Sequence, residues 1–174
     1  DIGVAFANLV ATDGVREIVV GYDMRPSSES LVEAFSQGVR ATGKNVLNIG
    51  LAATDQLYFA TGKLNIPGAM FTASHNPAEY HGIKLARAGA KPVGAATGLE
   101  QIRQALIENN LPVAKQMGEE RRVDLLDEYG AYLRKLVDCS GIRHLKIVID
   151  AGNNLIAGRP GSLSGKVILQ RNGL

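Results

Sequence analysis

The chain of 174 residues has a single cysteine and no tryptophan, and only 5% of its residues are aromatic. Cys139 alone cannot form an internal disulfide, and a zinc site needs several Cys or His residues at close spacing. The three histidines, at positions 75, 81 and 144, lack the i, i+4 spacing of a helical ligand pair. We therefore expect no transition-metal site. Such sparing use of cysteine is typical of a reducing compartment, so we predict a cytoplasmic protein.

Strong charge of one sign and long apolar runs are also missing. The formal net charge is +2, and basic residues alternate with acids, as in "GEERRVDLLDE". Without a basic stripe or aromatic stacking platforms, we expect no binding to nucleic acid. No apolar run approaches the roughly twenty residues that span a bilayer, and the N-terminus has no basic segment followed by an apolar one. We therefore expect no membrane segment.

Short apolar runs alternate with helical patterns along most of the chain, of which 45% is hydrophobic. Four runs are typical of buried strands: "EIVVGYD", "NVLNIGLA", "IPGAMF" and "HGIKLARAG". Between the first two lies a helical pattern that Ser27 or Ser28 can cap, with Leu31, Phe35 and Val39 at fourfold spacing. Strands that alternate with helices in this way predict an α/β fold. We expect three α/β/α layers around a mixed, mostly parallel sheet of about four strands.

Two further patterns bear on the later helices and on the domain organisation. Thr97 and Glu100 match a capping box at the start of one helix, and another is predicted from Arg122 to Val137. The run "LKIVIDAGNN" is typical of a strand that opens a new unit, yet only about two dozen residues follow it. We predict one domain over 1–143, with its beginning before Asp1, and the truncated start of a second over 144–174.

The string "FTASHNPAEYHGIKL", residues 71–85, carries the densest side-chain chemistry of the chain. Ser74 follows a strand, and ligands of open α/β sheets bind beyond the carboxyl ends of strands. A serine hydroxyl needs a base or a polarising charge, for which His75 and Lys84 are the nearby candidates. Asn76 and Pro77 resemble the start of a helical turn that would direct backbone N–H groups at an anion. These groups suit a phosphate better than a carbonyl, although Ser-x-Asn-Pro is also an ordinary way to leave a strand.

The whole string resembles the phosphoserine loop of the α-D-phosphohexomutases. The match covers Thr-Ala-Ser-His-Asn-Pro at 72–77 without a gap and continues from Tyr80 to Lys84. Three other segments are similar to the same family, in particular to its bacterial phosphomannomutase/phosphoglucomutase branch: "VVGYDMRPSSESL" to its strand and arginine turn, "GAKPVGAATGL" to that branch, and "IVIDAGNN" to the first strand of domain two. The resemblance implies the first domain of such an enzyme.

The resemblance also implies roles for individual residues. Ser74 would donate and accept the phosphoryl group, and its phosphate would give one oxygen to a magnesium ion. His75 would line the phosphoserine site, and Lys84 would lie near the substrate hydroxyl as a charge stabiliser or base. Arg25 would contact the substrate or, as the residue type also allows, form a salt bridge that fixes its turn. The implied substrate is a mannose or glucose phosphate, with hexose 1,6-bisphosphate as intermediate and activator.

Some features of that family are not found in this sequence. The metal-binding Asp-Gly-Asp-x-Asp string of domain two does not occur, and His81 stands where the family usually has Asn before the glycine. We therefore expect the full-length protein to be a mutase and this chain alone to be inactive. Two alternatives stay open. One is a serine hydrolase that uses Ser74 and His75, although no Gly-x-Ser-x-Gly elbow is present. The other is a non-catalytic sugar-phosphate-binding module.

Overall fold

The computed structural model describes residues 1–77, 79–137, 140, 141, 143, 147–149 and 167–169. The chain divides into two compact units, Asp1–Leu125 and Leu126–Leu174. The first unit carries the sheet and every residue discussed below as part of the site. Its helices and strands are α1 (Ile2–Leu9), β1 (Glu17–Tyr22), α2 (Ser28–Ala41), β2 (Asn45–Leu51), α3 (Thr54–Leu64), β3 (Gly68–Phe71), β4 (Ile83–Arg87), β5 (Lys91–Pro92), α4 (Leu99–Ile107) and β6 (Glu120–Arg122).

Six strands form one mixed sheet in the order β5-β4-β3-β1-β2-β6. The pairs β1–β2, β1–β3 and β2–β6 are parallel, whereas β3–β4 and β4–β5 are antiparallel. The predicted mixed, mostly parallel sheet is confirmed, with more strands than the predicted four. The additional strands, β5 and β6, have only two and three residues. Because both are short and polar edge strands, they leave no apolar run in the sequence.

Helices cover both faces of the sheet, which confirms the three-layer α/β/α architecture. Side chains of successive strand residues point to opposite faces, so Val19 packs on one side while Ile18 and Val20 pack on the other. On the Ile18 side, α1, α2 and α4 contribute Phe6, Phe35 and Ile102 among others. The other face is covered by α3, through Leu57 and Ala60.

Helix α2 forms where it was predicted, but one residue of its predicted apolar stripe is wrong. Leu31 is 37% exposed, whereas its neighbour Val32 is 1% exposed. The buried residues Val32, Phe35 and Val39 are separated by steps of three and four rather than by four throughout. An α-helix has 3.6 residues per turn, so a strict fourfold spacing drifts off the buried face.

The predicted capping box at Thr97 and Glu100 is not formed. The N-cap of α4 is Gly98, and the Thr97 hydroxyl instead accepts the Gly94 N–H at 2.7 Å. The Glu100 carboxylate pairs with Arg103 at 2.6 Å. Both side chains therefore bind other partners three residues away, and these contacts compete with the predicted capping box.

The second unit contains helix α5 (Leu126–Leu136) and strands β7 (Ile147–Ile149) and β8 (Val167–Leu169), which pair in antiparallel fashion. Helix α5 begins four residues later than predicted because Arg122 belongs to strand β6. The strand predicted in "LKIVID" is confirmed at 147–149. Cys139, His144 and most of 144–174 lie outside the described residues, and the domain boundary after residue 143 stays a prediction. Among the helices of the described part, none is long and apolar enough to cross a membrane.

Candidate active site

The residues 73–81 form the connection between β3 and β4, and we call this segment the serine loop. A hydrogen bond from the Thr72 N–H to the Gly82 carbonyl, at 3.0 Å, closes the loop at its base. Strand β1 ends beside it, because the Asp23 N–H donates to the Phe71 carbonyl at 2.9 Å. The serine loop thus stands at the carboxyl edge of two adjacent parallel strands, where open α/β sheets bind their ligands.

Ser74 lies exposed on this loop and has an unusual backbone conformation. Its φ angle is +49°, in the left-handed region that residues other than glycine seldom adopt. Such a conformation costs on the order of 1–3 kcal/mol and persists only where the surroundings impose it. Within the described part of the chain, the Ser74 hydroxyl has no hydrogen-bond partner. The hydroxyl is therefore open to solvent.

The side chain of Arg25 reaches the serine loop from the turn between β1 and α2. Its guanidinium is nearly buried, with 10% of the side chain exposed, and it forms a salt bridge with the carboxylate of Asp23. Its Nη atoms donate to four backbone carbonyl groups of the loop. The acceptors are those of Pro77 at 2.6 Å and Tyr80 at 3.1 Å for Nη1, and those of Asn76 at 2.8 Å and Ser74 at 3.3 Å for Nη2.

Asp23 is the anionic partner of this arrangement. Its carboxylate accepts the Ser28 hydroxyl at 2.6 Å, and the N–H and Nε–H of Arg25 each at 3.1 Å. Burial raises the pKa of Asp23, but hydrogen bonds from Ser28, Arg25 and Thr72, together with the charge of Arg25, outweigh it and hold this pKa below its usual value. The Thr72 oxygen that donates to Asp23 also accepts the Ser74 N–H at 3.1 Å. A chain of hydrogen bonds therefore runs from Asp23 to the backbone of Ser74.

His75 and Lys84, the other predicted site residues, are both exposed. His75 follows Ser74 on the loop. Lys84 is the second residue of β4 and pairs directly with Met70, so its side chain lies on the face of the sheet that α3 covers. No hydrogen bond or ion pair involves the Lys84 ammonium in the part of the chain that the structure describes. The structure thus places Ser74, His75 and Lys84 on one hairpin, while their roles stay predictions.

Direct contact of Arg25 with a substrate also stays a prediction. A guanidinium has five N–H groups, and the five contacts described above use all of them. The geometry therefore favours the other possibility that the sequence left open, a salt bridge that fixes the turn. The guanidinium does more than fix its own turn, because it also holds the serine loop, which lies about fifty residues away in sequence.

Sequence reasoning missed three residues of this site: Asp23, Ser28 and Thr72. A signal for Asp23 was present, because an Asp that accepts the N–H two residues on forms an Asx turn, and "DMR" directly follows a strand. For Thr72 the comparable signal is weaker: its hydroxyl accepts the N–H two residues on, as in an ST turn, whereas its contact with Asp23 is set by the packing of β3 beside β1. His81 makes a further tertiary contact: its Nε2 lies 2.8 Å from the Ser27 Oγ, which joins the loop to the start of α2.

The magnesium ion that the resemblance implies does not fit the described residues alone. No group of three or more His, Cys, Asp or Glu side chains in this part of the chain could hold a metal ion. Asp23, the acidic residue beside the loop, already accepts four hydrogen bonds. An oxygen of a phosphate on Ser74 could supply one ligand, but magnesium needs about six oxygen ligands. We therefore derive no step through the metal.

Ser74 thus lies exposed at the carboxyl edge of an α/β sheet, and Lys84 lies exposed on the next strand. Comparison with known proteins shows the family to which this domain belongs. The family model described as phosphoglucomutase/phosphomannomutase, alpha/beta/alpha domain I, matches residues 1–111. The chain is 39% identical over 142 residues to a phosphomannomutase of Vibrio cholerae and 43% identical over 141 residues to one of Escherichia coli. These alignments cover 81% and 79% of the chain and 31% of each relative.

The solved structure of a phosphoglucomutase/phosphomannomutase family protein from Burkholderia thailandensis is also similar, with a TM-score of 0.65 and 28% identity. The similarity covers 74% of this chain and 29% of that protein. The chain therefore belongs to the phosphoglucomutase/phosphomannomutase family and contains its first α/β/α domain. It spans about a third of the length of the curated relatives that it matches.

Proposed function

We propose that the full-length protein is a phosphomannomutase or phosphoglucomutase, which interconverts hexose 1-phosphate and hexose 6-phosphate through a phosphoserine at position 74. Family membership supports the reaction class. The observation that carries the choice of residue is the exposed Ser74 hydroxyl, on a loop whose backbone is fixed at the carboxyl edge of the sheet. A mobile or buried serine could not receive a phosphoryl group in one defined position.

The reaction consists of two phosphoryl transfers. In the first, the bond between Ser74 Oγ and phosphorus breaks and Oγ takes up a proton, while a bond forms between phosphorus and the free sugar hydroxyl oxygen, whose proton passes to a base. The product is hexose 1,6-bisphosphate and unmodified Ser74. In the second, the bond from the other sugar oxygen to phosphorus breaks and that oxygen takes a proton, while the Ser74 hydroxyl gives its proton to a base and the Oγ–phosphorus bond forms again. Atoms and protons balance over the cycle. The bisphosphate is its intermediate, and we propose it as the activator as well.

Charge stabilisation is the main task of the protein in such transfers. A phosphoserine carries a charge of about −1.5 to −2 near neutral pH. Lys84 supplies a positive charge on the adjoining strand and is our candidate for stabilising the transferred group or for taking the proton. His75, directly after Ser74, lines the phosphoserine. A magnesium ion would supply further neutralisation of phosphate charge, and a phosphate on Ser74 would offer it one oxygen; its other ligands are not among the described residues.

We propose this activity for the full-length protein and expect none from the 174-residue chain alone. The curated relatives are about three times as long as the matched region. The resemblance implies that the loops for the metal, the sugar and the second phosphate lie in other domains. The sugar that is preferred, mannose or glucose, depends on those loops.

The test is Ser74→Ala in the full-length protein, with mutase assays and intact-mass measurement. We expect the variant to lose mutase activity and the wild-type protein to carry one phosphoryl group that the variant lacks. Ser30→Ala is the matched control, because Ser30 is an exposed serine on α2 whose hydroxyl donates to the Ser27 carbonyl, away from the serine loop. Near-normal turnover of Ser74→Ala would refute the proposal.

The two alternatives give different results in the same samples. A serine hydrolase would be labelled at Ser74 by an acyl-serine probe. A non-catalytic binding module would bind hexose phosphate as the isolated chain, and the full-length protein would carry no phosphoserine. Labelling without phosphate, or binding without turnover, would therefore replace the mutase proposal with one of these.

A further inference from the structure

Both backbone groups of Ser74 are held by partners from outside the serine loop. Its N–H donates to the Thr72 hydroxyl oxygen at 3.1 Å, and its carbonyl accepts from Arg25 at 3.3 Å. Thr72 in turn donates to Asp23, and Asp23 is the ion-pair partner of Arg25. The ion pair therefore holds both peptide groups that flank the Ser74 Cα: Arg25 binds the carbonyl directly, and Asp23 acts on the N–H through Thr72.

This arrangement explains how Ser74 keeps a φ of +49°. The left-handed conformation is unfavourable for serine, and among the described residues of the loop the turn hydrogen bonds between backbone groups do not involve Ser74. The hydrogen bonds from outside the loop are what fixes both of its peptide planes. Since the direction of the Cα–Cβ bond follows from those planes, the ion pair also fixes the direction in which the Ser74 side chain leaves the backbone.

The number of N–H donors on the Arg25 guanidinium distinguishes this structural role from substrate binding. Every N–H of Arg25 is engaged, four of them with carbonyl oxygens that a substrate would not displace without unfolding the loop. Only a planar guanidinium can present donors to four carbonyls and a carboxylate together. A lysine ammonium would bring the same charge but only three donors from one atom.

We propose that Asp23 and Arg25 are positioning residues for phosphoryl transfer, which act through the backbone of Ser74 and do not touch the sugar. This inference depends on the proposed mutase function. A misplacement of about 1 Å at a reacting group can lower a rate about 100-fold. We therefore expect loss of the ion pair to lower kcat by about 10- to 100-fold and to leave the KM for hexose phosphate within about twofold.

The experiment compares Arg25→Lys and Arg25→Ala in the full-length protein with the wild type. Both variants should lose kcat to a similar extent, because the charge alone does not hold the carbonyls. Added methylguanidinium should restore part of the activity of Arg25→Ala and none of Ser74→Ala. The matched control is Arg87→Ala, which removes another partly buried arginine ion pair, with Asp13 at 2.8 Å, and should leave kcat unchanged.

A wild-type kcat in Arg25→Lys, or a raised KM with unchanged kcat, would overturn the inference. If Arg25→Ala does not fold, Thr72→Val serves as the second variant, because it removes the acceptor of the Ser74 N–H while Arg25 stays.

Hydrogen exchange of the peptide 72–82 gives a readout without turnover. Exchange should be faster in the Arg25 and Thr72 variants than in wild type and Arg87→Ala, and equal exchange contradicts positioning. A wild-type protein without mutase activity refutes the proposed function instead.

Discussion

The Thr72 N–H donates to the carbonyl of Gly82 at 3.0 Å, and the carbonyl oxygen of Thr72 lies only 2.8 Å from the place that a Cβ on Gly82 would occupy. These two residues form the base of the serine loop, where β3 and β4 separate. The close approach explains why a glycine stands immediately before β4. A larger residue there would press on the backbone that leads to Ser74.

Gly82→Ala should therefore lower the free energy of unfolding by about 1–3 kcal/mol, as overpacking commonly does. The clash is with a backbone oxygen, which cannot rotate away as a flexible side chain could. Urea unfolding of the chain measures the change. Gly62→Ala is the control: Gly62 lies in α3, and the nearest atom to its added Cβ is 3.7 Å away. That variant should be about 0.5–1 kcal/mol more stable, and equal effects of the two substitutions would contradict the steric argument.

Lys84→Met in the full-length protein should lower kcat by about 100- to 1,000-fold, the usual effect of removing a group that stabilises charge in the transition state. Its stability should change by less than about 0.5 kcal/mol, because Lys84 is exposed. Steady-state mutase kinetics and thermal unfolding measure the two effects.

Lys84→Arg should keep more activity than Lys84→Met if charge is what matters. Lys91→Met, an exposed lysine on edge strand β5, should have wild-type kinetics. Wild-type turnover of Lys84→Met would exclude a catalytic role.

Asp23 should make stability depend on pH in the acid range. Its pKa in the folded protein is lowered, so its contribution is fully present above the unfolded pKa of about 3.9. It is lost as the pH falls through the lower folded-state pKa, because protonation breaks the ion pair. Asp23→Asn should cost about 1–3 kcal/mol near neutral pH, and this difference from the wild type should close below about pH 4.

Urea unfolding of both proteins across this pH range measures the difference. Asp13→Asn is the control, since the pair of Asp13 with Arg87 is more exposed and should contribute less than about 1 kcal/mol. A gap between wild type and Asp23→Asn that stays constant down to strongly acidic pH would show that the Asp23 charge does not stabilise the fold.

Local patterns predicted most of the fold because burial on a strand or helix imposes a period. The unbroken apolar run of Ile18, Val19 and Val20 predicted a buried strand of the parallel type, and that strand lies at the centre of the sheet, covered on both faces. The same reasoning failed where no period exists. Strand β6 consists of Glu120 and two arginines, and the predicted helix wrongly includes its last residue, Arg122. The pairing of β6 with β2 is set by backbone hydrogen bonds, which any residue can make, so its side chains show no period.

The sequence by itself determined which residues could carry the chemistry: the unbroken Thr-Ala-Ser-His-Asn-Pro string after an apolar strand, with Lys84 shortly behind it. Only the tertiary structure decided what holds that string in place. Arg25 meets the carbonyl of Ser74 across 49 positions of sequence, and Thr72 meets Asp23 across the β1–β3 pair. Hydrogen bonds between distant segments depend on distances that arise only after the sheet has assembled, whereas periodicity and turn chemistry act between neighbours in the chain.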